Sequence, residues 1–183
     1  MRSPSARRRT EPPGLDDPVE AGRRIALDQL AGAPRTRQQL ADALHRRGIP
    51  ADATAEVLER LAAVGLIDDR AYAVQWMTSR RRRGLAPRAI AGELRRRGVD
   101  EVIIRETVDT VDPDDVLAAA TALARMRCRT MVGLPEPVKV RRLAAMLARR
   151  GYSPEVVFQA IRHVLGDGVI EEGATDASDA ERA

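Results

Sequence analysis

Arginine is the residue type in this sequence with the most chemistry to offer: 183 residues hold 31 Lys+Arg, and Lys139 is the single lysine among them. The densest stretch is Arg80, Arg81, Arg82, Arg83, Arg88, Arg95, Arg96 and Arg97, eight guanidinium groups within 18 residues that contain one acid, Glu93. A guanidinium fork presents several donors in one plane and matches phosphate or carboxylate oxygens two at a time. Four consecutive arginines span a whole helical turn, so that helix end must project into water or meet a polyanion. The sequence therefore predicts a working contact at residues 80–97, with guanidinium groups nearly free of internal partners. Arg46 with Arg47, Arg96 with Arg97, and Arg149 with Arg150 form three recurring pairs, the second of them within that stretch, each followed by glycine. These serve equally well as phosphate contacts or as compensation for the negative end of a helix. The candidate binding residues are thus Arg80, Arg81, Arg82, Arg83, Arg88, Arg95 and Arg96, joined by Arg46, Arg47, Arg149 and Arg150.

Enzyme signatures are absent site by site, and no catalytic, metal or cofactor-binding residue is assigned. His45 and His163 stand without a second His, Cys or carboxylate at ligand spacing. Asp68 with Asp69 and Asp114 with Asp115 offer paired carboxylates of the kind a metal nuclease uses, but both pairs sit at helix starts and read as caps. No Gly-x-x-x-x-Gly-Lys-Ser/Thr loop occurs. Cys128 is the one cysteine, which excludes an internal disulfide and fits a reducing compartment. Tyr72, Trp76, Tyr152 and Phe158 are the only aromatic residues, too few for a base-stacking platform. The absence of a long apolar run or of an apolar segment after Met1 predicts a cytoplasmic chain with no membrane span.

The elements that must carry these arginines repeat. Leu40, Leu44, Arg46, Arg47, Gly48, Ile49 recurs as Ile90, Leu94, Arg96, Arg97, Gly98, Val99 and again as Leu143, Leu147, Arg149, Arg150, Gly151, Tyr152. The glycines lie 50 and 53 residues apart and fit the left-handed position after a helix. Each copy resumes a helical apolar pattern: Val57, Leu58, Leu61; Ile103, Ile104, Val108; Val156, Val157, Ile161. Thr36 with Gln39 spells a capping box, and Asp112-Pro113 opens another helix. One more helix precedes each pair, over residues 19–31, 69–83 and 113–127, so the unit is three helices. The expected fold is all-α: an elongated, curved solenoid of three tandem three-helix repeats over residues 20–67, 68–111 and 112–166. Tyr72 and Trp76, one turn apart, are expected to seal the junction of the first two repeats, and the Gly- and Pro-bearing loop 130–137 to be mobile.

Charge divides along the chain. Residues 1–19 carry four Arg against three acids and residues 167–183 one Arg against six acids, which leaves 26 basic and 18 acidic side chains in the body. Both tails have little to bury and are expected to be disordered. The acidic one reads as a solubilising end rather than as a shield over the basic body.

Gly65-Leu66-Ile67-Asp68-Asp69-Arg70-Ala71-Tyr72-Ala73-Val74-Gln75-Trp76, with the arginine run, Leu94 and Arg96-Arg97-Gly98-Val99 after it, resembles the bacterial RecX regulatory proteins. The resemblance covers about residues 20–166. It implies a non-enzymatic, monomeric modulator that binds RecA nucleoprotein filaments along their helical groove. Such a protein suppresses RecA ATP hydrolysis, strand exchange and co-protease activity; the basic body, for its part, predicts weak, non-specific binding of DNA, including the single strand within the filament. The alternative is a sequence-specific DNA-binding transcription factor whose residues 36–67 form a winged helix. That reading needs a strand hairpin after Ile67, where the sequence instead starts a helix. Far-UV circular dichroism of the chain is expected to be dominated by helix; a sheet-rich spectrum would remove the three-helix repeat.

Overall fold

A computed structural model describes residues 17–166 of the chain, and among them nine α-helices and no strand. They are α1 (Pro18–Gly32), α2 (Arg37–Arg46), α3 (Ala51–Ala63), α4 (Asp69–Arg82), α5 (Pro87–Arg96), α6 (Glu101–Asp109), α7 (Pro113–Cys128), α8 (Glu136–Arg149) and α9 (Pro154–Leu165). The helices group into three bundles of three, and the chain divides into two compact units, Met1–Asp68 and Asp69–Ala183. The first unit holds bundle α1–α3. The second holds bundles α4–α6 and α7–α9.

Each bundle is built on the same plan, with the apolar stripe of its middle helix at the centre. Leu40 and Leu44 of α2, Ile90 and Leu94 of α5, and Leu143 and Leu147 of α8 are at most 1% exposed. Small residues on the first helix let the third come close: Gly22 and Ala26 on α1, Ala73 on α4, Ala120 and Ala124 on α7. A methyl at Gly22 would already stand 3.3 Å from Val57. Few aromatics are needed, because short bundles with alanine at the crossing close without large side chains.

The ends follow from the sequence with small shifts. The Thr36 hydroxyl accepts from the Gln39 N–H at 3.1 Å, and the Gln39 side chain accepts from the Thr36 N–H at 3.2 Å, completing the capping box. Asp112 accepts from the Asp114 N–H at 2.8 Å, with Pro113 in the first turn of α7. Asp17 caps α1 in the same way, through the Val19 N–H at 3.0 Å, so Pro18, expected in the N-terminal tail, is helical. The remainder of the two tails expected to be disordered lies outside the described residues. Loop 130–137 is shorter than expected because α8 begins at Glu136 and takes Pro137 into its first turn; Met131, 3% exposed, pins the loop to the α7–α9 core.

After α2, α5 and α8 the chain makes one recurring turn. The Ile49, Val99 and Tyr152 N–H groups donate back to the Leu44, Leu94 and Leu147 carbonyls at 3.1, 3.2 and 3.3 Å. Gly48, Gly98 and Gly151 sit between at φ of 79°, 76° and 86°. This is the Schellman arrangement, which satisfies the last carbonyls and folds an apolar residue onto the helix end. Gly65 and Gly84 close α3 and α4 alike, with Leu66 bonding Leu61 and Leu85 bonding Arg80.

In the second unit the same turns join the two bundles. The Ala86 N–H donates to the Arg150 carbonyl at 2.9 Å, and the Arg150 guanidinium returns a bond to the Arg83 carbonyl at 2.6 Å. Ala86, 2% exposed, is counted in the core of α7–α9. A Cβ on Gly151 would lie 2.5 Å from that of Ala89, and one on Gly84 would lie 2.9 Å from Leu123. Burial here also pushes the Tyr152 phenol up, against the opposing pull of Arg150 and Arg81.

Glycine replacement separates the two duties of these turns. Gly48→Ala meets open space and is expected to cost about 1 kcal/mol for the left-handed backbone alone. Gly151→Ala adds the collision with Ala89 and is expected to cost about 2–4 kcal/mol. Equal losses of stability in urea titrations would show that the glycine at 151 serves only the turn.

Candidate functional site

The arginine-dense stretch spans the end of α4, the loop to α5, and all of α5, and the structure sorts its eight guanidinium groups into two classes. Arg80 turns inward: its Nε donates to Glu93 at 2.7 Å, and its guanidinium carbon lies 4.1 Å from the centre of the Trp76 ring. Arg97 approaches the same ring at 3.6 Å and donates to the Tyr72 hydroxyl at 3.0 Å. Trp76 completes the cluster by stacking on Tyr72, 5.9 Å between centroids at 8° between planes, and by donating Nε1–H to Glu93 at 2.8 Å. The single acid of the stretch thus bonds one indole and one guanidinium, and two cations rest on one indole.

Two further arginines are committed to acids elsewhere. Arg81 reaches Asp115 on α7 at 3.4 Å, and Arg95 makes a two-pronged bond with Glu101 at 2.9 and 2.6 Å. The Arg95 guanidinium holds the Glu101 carboxyl below its ordinary range, with Arg105 adding to the effect. Arg82, Arg83, Arg88 and Arg96 are exposed, and among the described residues their side chains make no ion pair. The expectation of eight guanidinium groups nearly free of partners is corrected by half: Arg80, Arg81, Arg95 and Arg97 have partners on neighbouring helices. Tyr72 belongs to the core of α4–α6, Trp76 packs against it, and together they hold arginines in place.

Arg81 and Arg82 also line a hollow of about 420 Å³ together with Val74, Met77, Val111 and Ala119. Val74 is 53% exposed there. The outward Arg82 guanidinium beside a hollow that mixes these apolar side chains with Thr78, Thr107 and Thr110 suits an acidic protein face at least as well as a phosphate chain.

The paired arginines have divided fates. Arg46 and Arg47 are exposed at the end of α2, in the first unit. Arg149 is exposed, but Arg150 is the bracket between two bundles. Sequence reading missed a second basic surface: Arg127, Arg141, Arg142, Arg149 and Arg150 line one groove between α7 and α8. The spacing of seven and eight residues from Arg142 and Arg141 to Arg149 was the available signal, since it returns side chains to one helix face.

Three family models match the chain in order: "RecX, first three-helix domain" over residues 23–61, the second over 68–108 and the third over 114–161. Together they take in most of the described residues. The chain belongs to the RecX family. Its relatives include the regulatory protein RecX of Thermobifida fusca, 46% identical over 162 residues, 86% of this chain and 88% of that one. Those of Streptomyces lividans (46%, covering 89% and 86%) and Mycobacterium leprae (41%, covering 82% and 89%) are similar in extent. The crystal structure of RecX from Lactobacillus salivarius shares the fold at a TM-score of 0.74 and 22% identity, covering 82% of this chain and 98% of that one. A second crystal structure of a regulatory protein RecX matches at 0.70 and 25% identity, covering 80% and 74%. The all-helical fold of three tandem three-helix units is therefore that of the RecX family. The winged-helix alternative fails on geometry, because the chain enters α4 at Asp69 where the wing should stand.

The Trp76 cluster generates a test of its own. Trp76→Ala is expected to cost about 2–3 kcal/mol, less than the ~3–5 of a fully buried indole, because the ring is only half-buried. Trp76→Phe keeps the ring and loses the bond to Glu93, at about 1–2 kcal/mol. Denaturant titration of both variants checks the order; a harmless Trp76→Ala would mean that the two guanidinium groups need no ring beneath them.

Proposed function

We propose that this chain is a non-enzymatic regulator that binds RecA nucleoprotein filaments in the cytoplasm and inhibits their ATPase, strand-exchange and co-protease activities, thereby modulating recombination and repair. Membership of the RecX family supports the reading, and the observation that carries it is the set of outward guanidinium groups at Arg82, Arg83, Arg88 and Arg96. They stand on a frame in which Arg80, Arg97, Trp76 and Glu93 fix one another, so less order must be imposed on the surface when a partner arrives. Arg82, with the hollow floored by Val74, Met77, Val111 and Ala119 beside it, offers an acidic protein face both charge and packing.

Inhibition by binding alone needs no catalytic group. A protein that contacts adjacent protomers and prefers one of their geometries opposes the rearrangement that each ATPase cycle requires, by as much as its affinity differs between the two states. The chain acts as a monomer in this reading. Contact with single-stranded DNA inside the filament adds a weak electrostatic term that carries little sequence preference and falls steeply with salt.

Replacing Arg82, Arg83, Arg88 and Arg96 together with Ser, while leaving Arg80 and Arg97 on Trp76, is expected to preserve the helical spectrum. Inhibition of DNA-dependent RecA ATPase is expected to weaken at least tenfold, equivalent to about 1.4 kcal/mol. A folded variant that inhibits like the parent chain would dismiss this surface. Arg149→Ser serves as the comparison in the last bundle, whereas Arg150 is unsuitable because it brackets Arg83.

A further inference from the structure

The groove between α7 and α8 has an unusual lining for a surface of this protein. Arg127, Arg141, Arg142, Arg149 and Arg150 surround a floor of Leu123, Met126, Ala145 and Met146 in a concavity of about 600 Å³, with no acidic residue on its wall. Among the described residues Arg141, Arg142 and Arg149 form no ion pair. Arg127 and Arg150 are tied in part to Thr130 and to the Arg83 carbonyl, which leaves Arg141, Arg142 and Arg149 as three exposed cations on the groove wall. Its floor is aliphatic and thioether, with no aromatic ring on which a base would stack. The chemistry that fits is a peptide carrying carboxylates on either side of one or two aliphatic side chains.

The chain contains such a peptide directly after α9. Residues 167–183 carry Asp167, Glu171, Glu172, Asp176, Asp179 and Glu181 against Arg182, and Val169-Ile170 stands immediately before Glu171-Glu172. The tether begins at Gly166, on the helix that packs most extensively on α7, one wall of the groove. Val169 and Ile170 follow Gly166 by three and four residues and reach about 10–14 Å from it when extended, while the later acids, out to Glu181, reach up to about 50 Å. A tethered segment of this kind competes at an effective concentration on the order of millimolar. We propose that residues 167–183 occupy the arginine groove of their own chain, Val169 and Ile170 on the methionine floor and the carboxylates on Arg141, Arg142 and Arg149, so that an outside polyanion must displace them. The inference goes beyond filament binding and does not depend on it.

The methionines supply the readout in the full chain, since Met126 and Met146 floor the groove while Met77 lies in the α4–α6 core. Methyl-13C methionine NMR spectra are compared for the parent chain and for the variant Glu171→Gln, Glu172→Gln, Asp176→Asn, Asp179→Asn at low salt. The expected result is a shift of the Met126 and Met146 signals with Met77 unmoved, independent of protein concentration and lost at about 0.5 M salt. Oligothymidylate titrated into both chains is expected to reach the same two signals, with about fivefold more required for the parent. Identical Met126 and Met146 signals in the two chains overturn the proposal. So does a difference that grows with protein concentration, which would place the segment on a second copy. Equal oligothymidylate requirements would make the groove a nucleic-acid surface without an internal competitor, and overturn it as well.

Discussion

A helix of ten residues leaves four carbonyls at its end without a partner, and a protein made of short helices meets that problem every dozen residues. Here the answer is the glycine-closed turn, in which the residue after the glycine bonds back to the last apolar position of the stripe. Leu44, Leu94 and Leu147 are each fully buried and each accept that bond. The core and the cap are therefore one construction: the side chain fills the bundle and its carbonyl holds the exit. In the second unit the turns at Gly84 and Gly151 face each other's bundles, and the missing side chains let the Ala86 N–H reach the Arg150 carbonyl and the Arg150 guanidinium reach the Arg83 carbonyl across the join. Bulk at either glycine would push apart the surfaces that those bonds connect.

Charge in the middle bundle is arranged around one ring. Arg80 and Arg97 both lie on Trp76, and Glu93 bonds the indole and Arg80. Stacking adds to the hydrogen bonds that hold these half-buried guanidinium groups, because the ring face is itself a weak acceptor of positive charge. The two arginines so engaged leave Arg82, Arg83, Arg88 and Arg96 as the outward set, on helices whose apolar faces are anchored by Met77, Ile90 and Leu94. Arg81, bonded to Asp115 on α7, ties that display to the next bundle.

Much of this fold was readable in the sequence because its signals are local. The capping box at Thr36 and Gln39, the Asp112-Pro113 start and the recurring Arg-Arg-Gly ends each operate within a few residues, and each forms as the spacing predicts. What escaped reading was pairing over distance. Glu93 is 13 residues from Arg80, Asp115 is 34 from Arg81, and Arg150 is 67 from the carbonyl it brackets. Composition alone makes all eight arginines of the stretch equivalent, whereas three-dimensional neighbours divide them. The same limit hid the groove of the last bundle, where Arg127 comes from α7 and the other arginines from α8 and its end. For Trp76 the sequence showed an aromatic residue on an apolar face, and only the fold reveals that two cations are its neighbours.

The bracket between Ala86 and Arg150 also bears on the order of assembly at the ribosome. Each three-helix bundle closes from contacts within some fifty residues of chain, a low separation that favours rapid local folding. A nascent chain folds its N-terminal parts first, at the pace of elongation. The α4–α6 bundle is therefore complete while the Ala86 N–H still points at water, and it waits for residues up to Arg150 to leave the exit tunnel before its last main-chain partner exists. The join between these two bundles therefore follows the closure of α4–α6, and the α7–α9 bundle arrives against a surface already formed to receive it.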